Sequence, residues 1–576
     1  MKCTSIVVVV LLLACGLASG QIRNKGWWKN AVFYQIYPRS FMDSNGDGVG
    51  DLPGITSKLE HFKDSGVTAI WLSPINRSPM VDFGYDISDF KDVDPTFGNL
   101  NDLMNLINAA HKLNLKVILD LVPNHTSDQH YWFQMSVKRI GKYTDYYIWS
   151  DGKPNATGGP PLPPNNWISV FNGSAWTYHS ERKQLYFRQF YSQQPDLNYT
   201  NPDVQQEMED IMRYWLDRGI DGFRIDAVPH LFEGNIALNE SLFAPNLNAS
   251  LHASYNHTLT KDQPQTYELV QSWRKFVDKY AEQNQRDEIV LMTEAYTSLP
   301  NTIKFYNYGS DVPFNFKFIT DVNVNSTAAA FKSIIDNWIK LMPKTGVANW
   351  VMGNHDRVRI ATRYPNRTDQ MTMLAMILPG VAVTYYGEEI GMEDNSTLFQ
   401  YDFRDGCRTP FQWNDSVNAG FSTGALNKTW LPVHEKYKEV NLAKQKSENG
   451  SHYKLYTELT KLRKSNALKE GSLETVVINT DVLAVIRKGQ SETVTLLINF
   501  NNKDAIKVDL SKAVSHSRGK IYASSVGTGL TANGVVQLST FDIPAKASVV
   551  LLSGASTTSC SVVAVLLLAF VTLFRS

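Results

Sequence analysis

The sequence predicts an α/β protein: a (β/α)8 barrel with an inserted small domain after the third strand and a C-terminal antiparallel β domain. Three observations carry that prediction. From Ala31 to Tyr385, short β-branched and aromatic runs alternate with segments whose apolar residues recur at helical spacing. One interval, 125–199, breaks the alternation with prolines, glycines and aromatics in place of a helical period. From Ser472 onward β-type runs follow one another with no helix between them. Repeated strand–helix units require a parallel sheet, and the chain carries no glycine-rich dinucleotide loop, which favours a closed barrel over an open sheet.

The elements follow in order. Ala31–Tyr37 reads as the first strand, and Val67–Leu72 follows a short helix marked by Ile55, Leu59 and Phe62 and ended by Gly66. Leu103, Leu106, Ile107 and Ala110 mark a helix before the strand Leu115–Val122. Asn201-Pro202-Asp203 opens the next helix, with a capping side chain and then proline in the first turn. Its apolar face (Val204, Met208, Ile211, Met212, Trp215, Leu216) stops at Gly219, and Ile220–Ile225 is a strand with Asp226 at its carboxyl end. Helices at Tyr267–Tyr280, Phe331–Leu341 and Met371–Ile377 then alternate with strands at Ile289–Met292, Val347–Met352 and Val381–Tyr385. The expected organisation is a barrel over 21–124 and 200–471, an inserted domain over 125–199 and a β-sandwich over 472–553.

Both ends read as addresses. Met1-Lys2, the apolar run Ile6–Leu13 and Ala18-Ser19-Gly20 form a secretory signal over 1–20. Small residues near Ser553, a polar spacer and the apolar run Val562–Phe574 form a GPI-attachment signal over 554–576. The expected location is therefore the extracellular face of the plasma membrane, with a GPI anchor as the membrane partner. Of four cysteines, Cys3, Cys15 and Cys560 leave with these segments, so Cys407 stands alone and stability must come from a large core. Asn-x-Ser/Thr sequons, including Asn155, Asn172, Asn248, Asn256, Asn325 and Asn449, suit an exposed glycoprotein. Lys plus Arg and Asp plus Glu both number 56, which excludes a nucleic-acid partner on electrostatic grounds.

The chemistry sits at strand ends. Asp226, Glu294 and Asp356 each follow a predicted strand, and Asp120-Leu121-Val122-Pro123-Asn124-His125 ends another. Carboxyl groups converging on one barrel mouth can divide acid and nucleophile roles, as glycosidic cleavage requires. Arg224 lies two residues before Asp226 on the same strand face, placed to keep that carboxylate ionised. No His-x-x-x-His or Cys/His cluster offers the ligand spacing of a hydrolytic metal centre. Asp43-Ser44-Asn45-Gly46-Asp47-Gly48-Val49-Gly50-Asp51 presents oxygen ligands at alternate positions with glycine sixth, the first nine positions of an EF-hand-type loop. The expected cofactor is one structural Ca2+ held by Asp43, Asn45, Asp47, the Val49 carbonyl and Asp51; no organic cofactor is expected.

In order along the chain, Gly66–Pro74, Asp120–His125, Gln194-Pro195-Asp196-Leu197-Asn198, Gly222–Asp226, Thr293–Tyr296 and Gly353–Asp356 resemble the motif set of the α-amylase family of glycoside hydrolases (family 13). The Gln194–Asn198 stretch resembles the α-glucosidases and oligo-1,6-glucosidases of that family. The C-terminal tail is similar to that of insect gut maltases, particularly mosquito ones, and so to proteins of gut epithelium. The resemblance implies an exo-acting retaining α-glucosidase that releases terminal glucose from maltose, sucrose and short oligosaccharides. It implies Asp226 as nucleophile, Glu294 as general acid/base and Asp356 as the third carboxylate. Arg224, His125 and His355 would hydrogen-bond the sugar, and Asp82, Tyr85 and Phe190 would wall the terminal-glucose pocket. Arg408 would pair with Asp82 to close that pocket. It also brings two further partners as expectations: a second copy in a homodimer and a bacterial toxin as ligand. The competing reading is a cell-surface receptor or binding protein on a glycosidase scaffold, with or without activity.

Overall fold

Eight parallel strands organise the molecule: β1 Val32–Ile36, β2 Ala69–Leu72, β3 Lys116–Leu121, β4 Gly222–Ile225, β5 Val290–Thr293, β6 Val312–Pro313, β7 Asn349–Val351 and β8 Val381–Tyr385. They belong to a computed structural model that describes residues 21–400, 402–425 and 428–554. The signal and GPI-attachment segments expected over 1–20 and 555–576 lie outside the described residues. Parallel ladders join β6-β5-β4-β3-β2-β1-β8-β7 in that order. The seam between β6 and β7 is closed by one side chain: Asn349 Nδ2 donates to Pro313 O at 2.6 Å, and its Oδ1 accepts from Asn315 N at 2.8 Å. The chain is therefore a (β/α)8 barrel in which the side chain of one buried asparagine bridges the seam.

Two apolar layers hold the barrel. Residues pointing inward, including Phe33, Trp71, Ile118, Val290, Met292 and Val383, fill its interior. Their neighbours in the strands point outward to a large second layer beneath the helices, the period-two alternation of a strand. The helix Pro202–Leu216 shows how the helices attach. Asn201 accepts from Asp203 N, Pro202 occupies the first turn, and Val204, Met208, Ile211, Met212, Trp215 and Leu216 are buried. Each such side chain contributes about 1.5–3 kcal/mol by leaving water.

The seven strands read from the sequence are present, each within two residues of its expected ends. The sixth, β6, was not read: two residues carry no periodicity. The helices Leu299–Asn307 and His452–Leu462 also escaped the pattern, as did Tyr131–Val137 within the inserted segment. That segment builds a three-stranded antiparallel sheet from Trp149–Ser150, Trp176–His179 and Gln184–Phe187 around Trp167, Trp176 and Phe187. The C-terminal region forms a six-stranded sheet with a two-stranded partner, Ile506–Val508 with Phe541–Ile543. Its second strand, Val482–Lys488, turns Leu483 and Val485 to the barrel and Val482, Ala484 and Ile486 to the interior of this β domain. The last strand, Ser548–Gly554, extends one residue past the expected boundary, with Gly554 paired to Glu492. Among the described residues no helix is long and apolar enough to cross a membrane.

Candidate active site

A cavity of about 280 Å3 opens at the carboxyl ends of the barrel strands. Asp82, Tyr85, His125, Phe190, Asp226, Glu294, His355 and Asp356 all line it. Asp226 follows β4, and its N–H donates to Leu121 O at 2.8 Å, locking the end of β4 to β3. The chain then turns sharply: Ala227 adopts the left-handed conformation at φ 48°, sparsely populated for a residue with a Cβ. That turn aims the Ala227 N–H at Glu294 Oε2, 2.8 Å away. The residue after the first carboxylate thus positions the second.

Arg224 is buried beneath both. Its guanidinium donates to Asp226 Oδ1 and, at 3.0 Å, to Asp120 Oδ1. Asp120 Oδ2 in turn accepts from Trp71 Nε1 and the Tyr85 hydroxyl, each at 3.2 Å. The charges divide as the two chemical roles demand. Burial, reinforced by Asp226, pushes Glu294 up to about 8, so this carboxyl holds its proton at neutral pH. Burial also raises Asp226, to about 6, because Arg224 offsets only part of the desolvation. Arg224 touches Asp226, as its place on the same strand face leads one to expect, and Asp226 is ionised near pH 7 with a small margin. At Asp356 burial is outweighed by His355 and the guanidiniums of Arg408 and Arg404, which bring it down to about 2.

Neighbouring side chains and backbone hold His125 and His355. His125 Nε2 lies 3.1 Å from Tyr85 O and 3.2 Å from Gln194 Nε2, with Phe190 packed against its ring. His355 stacks on Tyr85 at 5.3 Å and lies 2.8 Å from Gln35 Nε2 through Nδ1 and 3.3 Å from Asp356 through Nε2.

The arginine paired with Asp82 is Arg404, not the expected Arg408. Arg404 Nη1 donates to Asp82 Oδ1 at 3.2 Å and lines the cavity, while Asp402 grips its other nitrogens. Arg408, 1% exposed, donates to His355 O at 2.8 Å and to Asp356 Oδ1 at 3.1 Å. It braces the third carboxylate from behind. Both arginines occupy one short segment, and Asp405–Arg408 is a single 3-10 turn that carries the second guanidinium inward. Spacing in sequence does not reveal which of two arginines four residues apart faces the cavity.

Further lining residues were not read from the sequence: Phe171, His230, His252, Lys261, Tyr296 and Arg357. Tyr296 lay within a quoted motif, and His230 ends the Gly222–His230 stretch that carries Asp226; the others had no pattern to distinguish them. Cys407 is buried, its thiol donating to Arg404 O and His355 O, and burial pushes it up to about 12, which makes it inert.

None of Asp43, Asn45, Asp47, Val49 or Asp51 lines the cavity. Within their loop Asp43 accepts from the N–H groups of Asn45, Gly46 and Gly48, and Asp51 from Ser44 and Gly54. Among the described residues no group of three or more His, Cys, Asp or Glu side chains is placed to hold a metal. The all-oxygen donor set suits a hard cation, but the side chains here are turned onto the loop's own N–H groups.

With this geometry established, the likenesses are specific. Residues 35–471 match the alpha-amylase family, described as alpha amylase, catalytic domain. Maltase 1 of Drosophila virilis is 48% identical over 515 residues, 85% of this chain and 81% of that protein. Alpha-glucosidase of Apis mellifera is 46% identical over 504 residues, 84% of this chain and 86% of that protein. Among solved structures, the alpha-glucosyl transfer enzyme XgtA superposes with a TM-score of 0.78 at 32% identity, over 92% of this chain and 99% of that one. With three carboxyl groups around one cavity at the mouth of such a barrel, the chain belongs to the α-amylase family of glycoside hydrolases.

Proposed function

We propose that the protein is an exo-acting, retaining α-glucosidase that removes terminal non-reducing glucose from maltose, sucrose and short oligosaccharides. One observation carries this reading: the Asp82–Arg404 pair at 3.2 Å lies in the same cavity as Asp226, Glu294 and Asp356. A paired carboxylate and guanidinium present acceptors and donors to the hydroxyls of a chain-terminal glucose, which selects for a chain end. Asp226 attacks the anomeric carbon as Glu294 gives its proton to the departing glycosidic oxygen, and a covalent glucosyl-enzyme forms. Glu294, now a carboxylate, takes a proton from water, which displaces Asp226 and restores the original anomer. The low value of Asp356 keeps its charge fixed for sugar hydroxyls and for positive charge developing at the anomeric centre. Proton NMR of the first product from maltose tests this: α-glucose supports it, and β-glucose or no release overturns it.

The Asp43–Asp51 loop is proposed to hold one structural Ca2+. Support comes from the alternating oxygen-bearing residues and from the burial of Asp43 and Asp51, 0% and 3% exposed. EDTA is expected to lower Tm while initial rates at ambient temperature change little; an unchanged Tm counts against the ion. The terminal signals support an extracellular, GPI-anchored protein. Release from membranes by a phosphatidylinositol-specific phospholipase is the test, and retention in the membrane pellet would refute the anchor.

A further inference from the structure

Beside the catalytic cavity lies a second one of about 630 Å3, and the two share His252, Lys261 and Tyr296 in their walls. The second begins at Ala295, the residue after Glu294, and runs on past the polar side chains of Thr297, Ser298 and Asn301. Asp82 and Arg404 are absent from its walls. A group leaving from the Glu294 side therefore departs toward this second cavity. At the junction stands His252, whose ring nitrogens have no hydrogen-bond partner among the described residues; Nε2 is buried. A polar group left unpaired at a cavity junction calls for an explanation.

His252 is held as if for a task. Its ring stacks on His257 at 3.7 Å with planes 16° apart, and its backbone N–H donates to Asn172 Oδ1 of the inserted domain at 3.0 Å. His257 is itself fixed between Glu240 Oε2 at 3.0 Å and the His252 carbonyl at 2.9 Å. Glu240, 4% exposed, accepts through its other oxygen from Leu259, Thr260 and the Thr260 hydroxyl. Burial, with His257 and Lys261 beside it, pushes His252 down to about 3. A neutral imidazole offers one donor and one acceptor, the complement of a sugar hydroxyl.

The geometry points to His252 as a specificity-determining residue that binds the hexose on the leaving-group side, and the same hexose when it acts as acceptor. The inference rests on the α-glucosidase reading and assigns this role to the segment after β4. In transfer, a hydroxyl of the bound acceptor attacks the anomeric carbon of the glucosyl-enzyme. Its proton passes to Glu294, and the bond to Asp226 breaks, as with water.

The test uses p-nitrophenyl α-D-glucoside as donor and glucose as added acceptor. Nitrophenol release reports formation of the glucosyl-enzyme, and the ratio of disaccharide to free labelled glucose reports its partition. His252→Ala is expected to lower that ratio about 5- to 10-fold, the worth of a lost hydrogen bond; the ratio is set after the glucosyl-enzyme has formed and does not depend on the rate of nitrophenol release. His252→Gln, which keeps a donor and an acceptor, is expected to recover most of the ratio. Should His252→Ala not fold, His252→Leu is judged by the same ratio. An unchanged ratio, or hydrolysis without any transfer in the wild type, overturns the role of His252. A wild type that releases no nitrophenol overturns the glucosidase reading, and this inference with it.

Discussion

Asp226 and Glu294 are carboxyl groups buried in the same cavity, and their difference in acidity comes from what touches each. Arg224 contacts Asp226 directly, while the donor recorded for Glu294 is a single backbone N–H. The values of about 6 and about 8 set the expected pH profile. As pH rises through about 6, Asp226 ionises and kcat/KM for maltose climbs; as it rises through about 8, Glu294 loses its proton and kcat/KM falls. A bell centred near pH 7 is expected, and a profile flat from pH 5 to 9 would contradict the two roles. Asp226→Asn is expected to cut turnover by about 10,000-fold or more with the circular dichroism spectrum unchanged. The two arginines separate by phenotype. Arg404→Ala is expected to lower kcat/KM about 10- to 100-fold, the worth of a charged hydrogen bond to substrate, mainly through KM. Arg408→Ala leaves the half-buried Asp356 and the buried His355 without their brace, so it is expected to lower Tm as well as kcat.

The barrel seam concentrates stability in one side chain at the scale of elements. Asn349 is fully buried and serves Pro313 O and Asn315 N across the gap between β6 and β7. Asn349→Ala leaves both groups unpaired in a dry interior, a cost of roughly 2–4 kcal/mol from two unsatisfied groups. Urea denaturation should show that loss, and a change below about 0.5 kcal/mol, the noise of the method, would mean the ladder closes without it. Here sequence reading reached its limit. Strands such as Val381–Tyr385 announce themselves by β-branched runs, whereas β6 is defined only by the neighbours that pair with it. The strand-end carboxylates were legible because strand direction fixes where the chain ends point. Arg404, His252 and Lys261 were not, because Arg404 and Lys261 lie on loops and His252 on a three-residue 3-10 turn, whose paths are set by packing.

Barrel and C-terminal β domain meet across a large apolar contact pinned by a polar latch. Asp369 accepts from Val526 N at 2.8 Å through one oxygen and pairs with His452 at 2.6 Å through the other. Burial lowers the pKa of His452, but the hydrogen bond and charge of Asp369 outweigh it and leave that pKa above its ordinary value. A folded-state value above the unfolded one means that stability from this pair is complete below about pH 6.5 and is lost as pH rises through the folded value. His452→Gln is therefore expected to depress Tm most at pH 5.5 and least at pH 8.5. A pH-independent difference would remove the charged latch from the account.

The order of motifs, the strand–helix rhythm and the interval at 125–199 were enough to specify the barrel, its insertion and the carboxyl groups at its mouth. These are local properties: periodicity, capping and strand polarity are written in neighbouring residues. Which arginine faces Asp82, how Asn349 bridges the seam and where His252 stands between two cavities were decided only by the folded chain. Each depends on contacts between residues tens to hundreds of positions apart, and the direction of a side chain on an irregular segment is set by what packs against it.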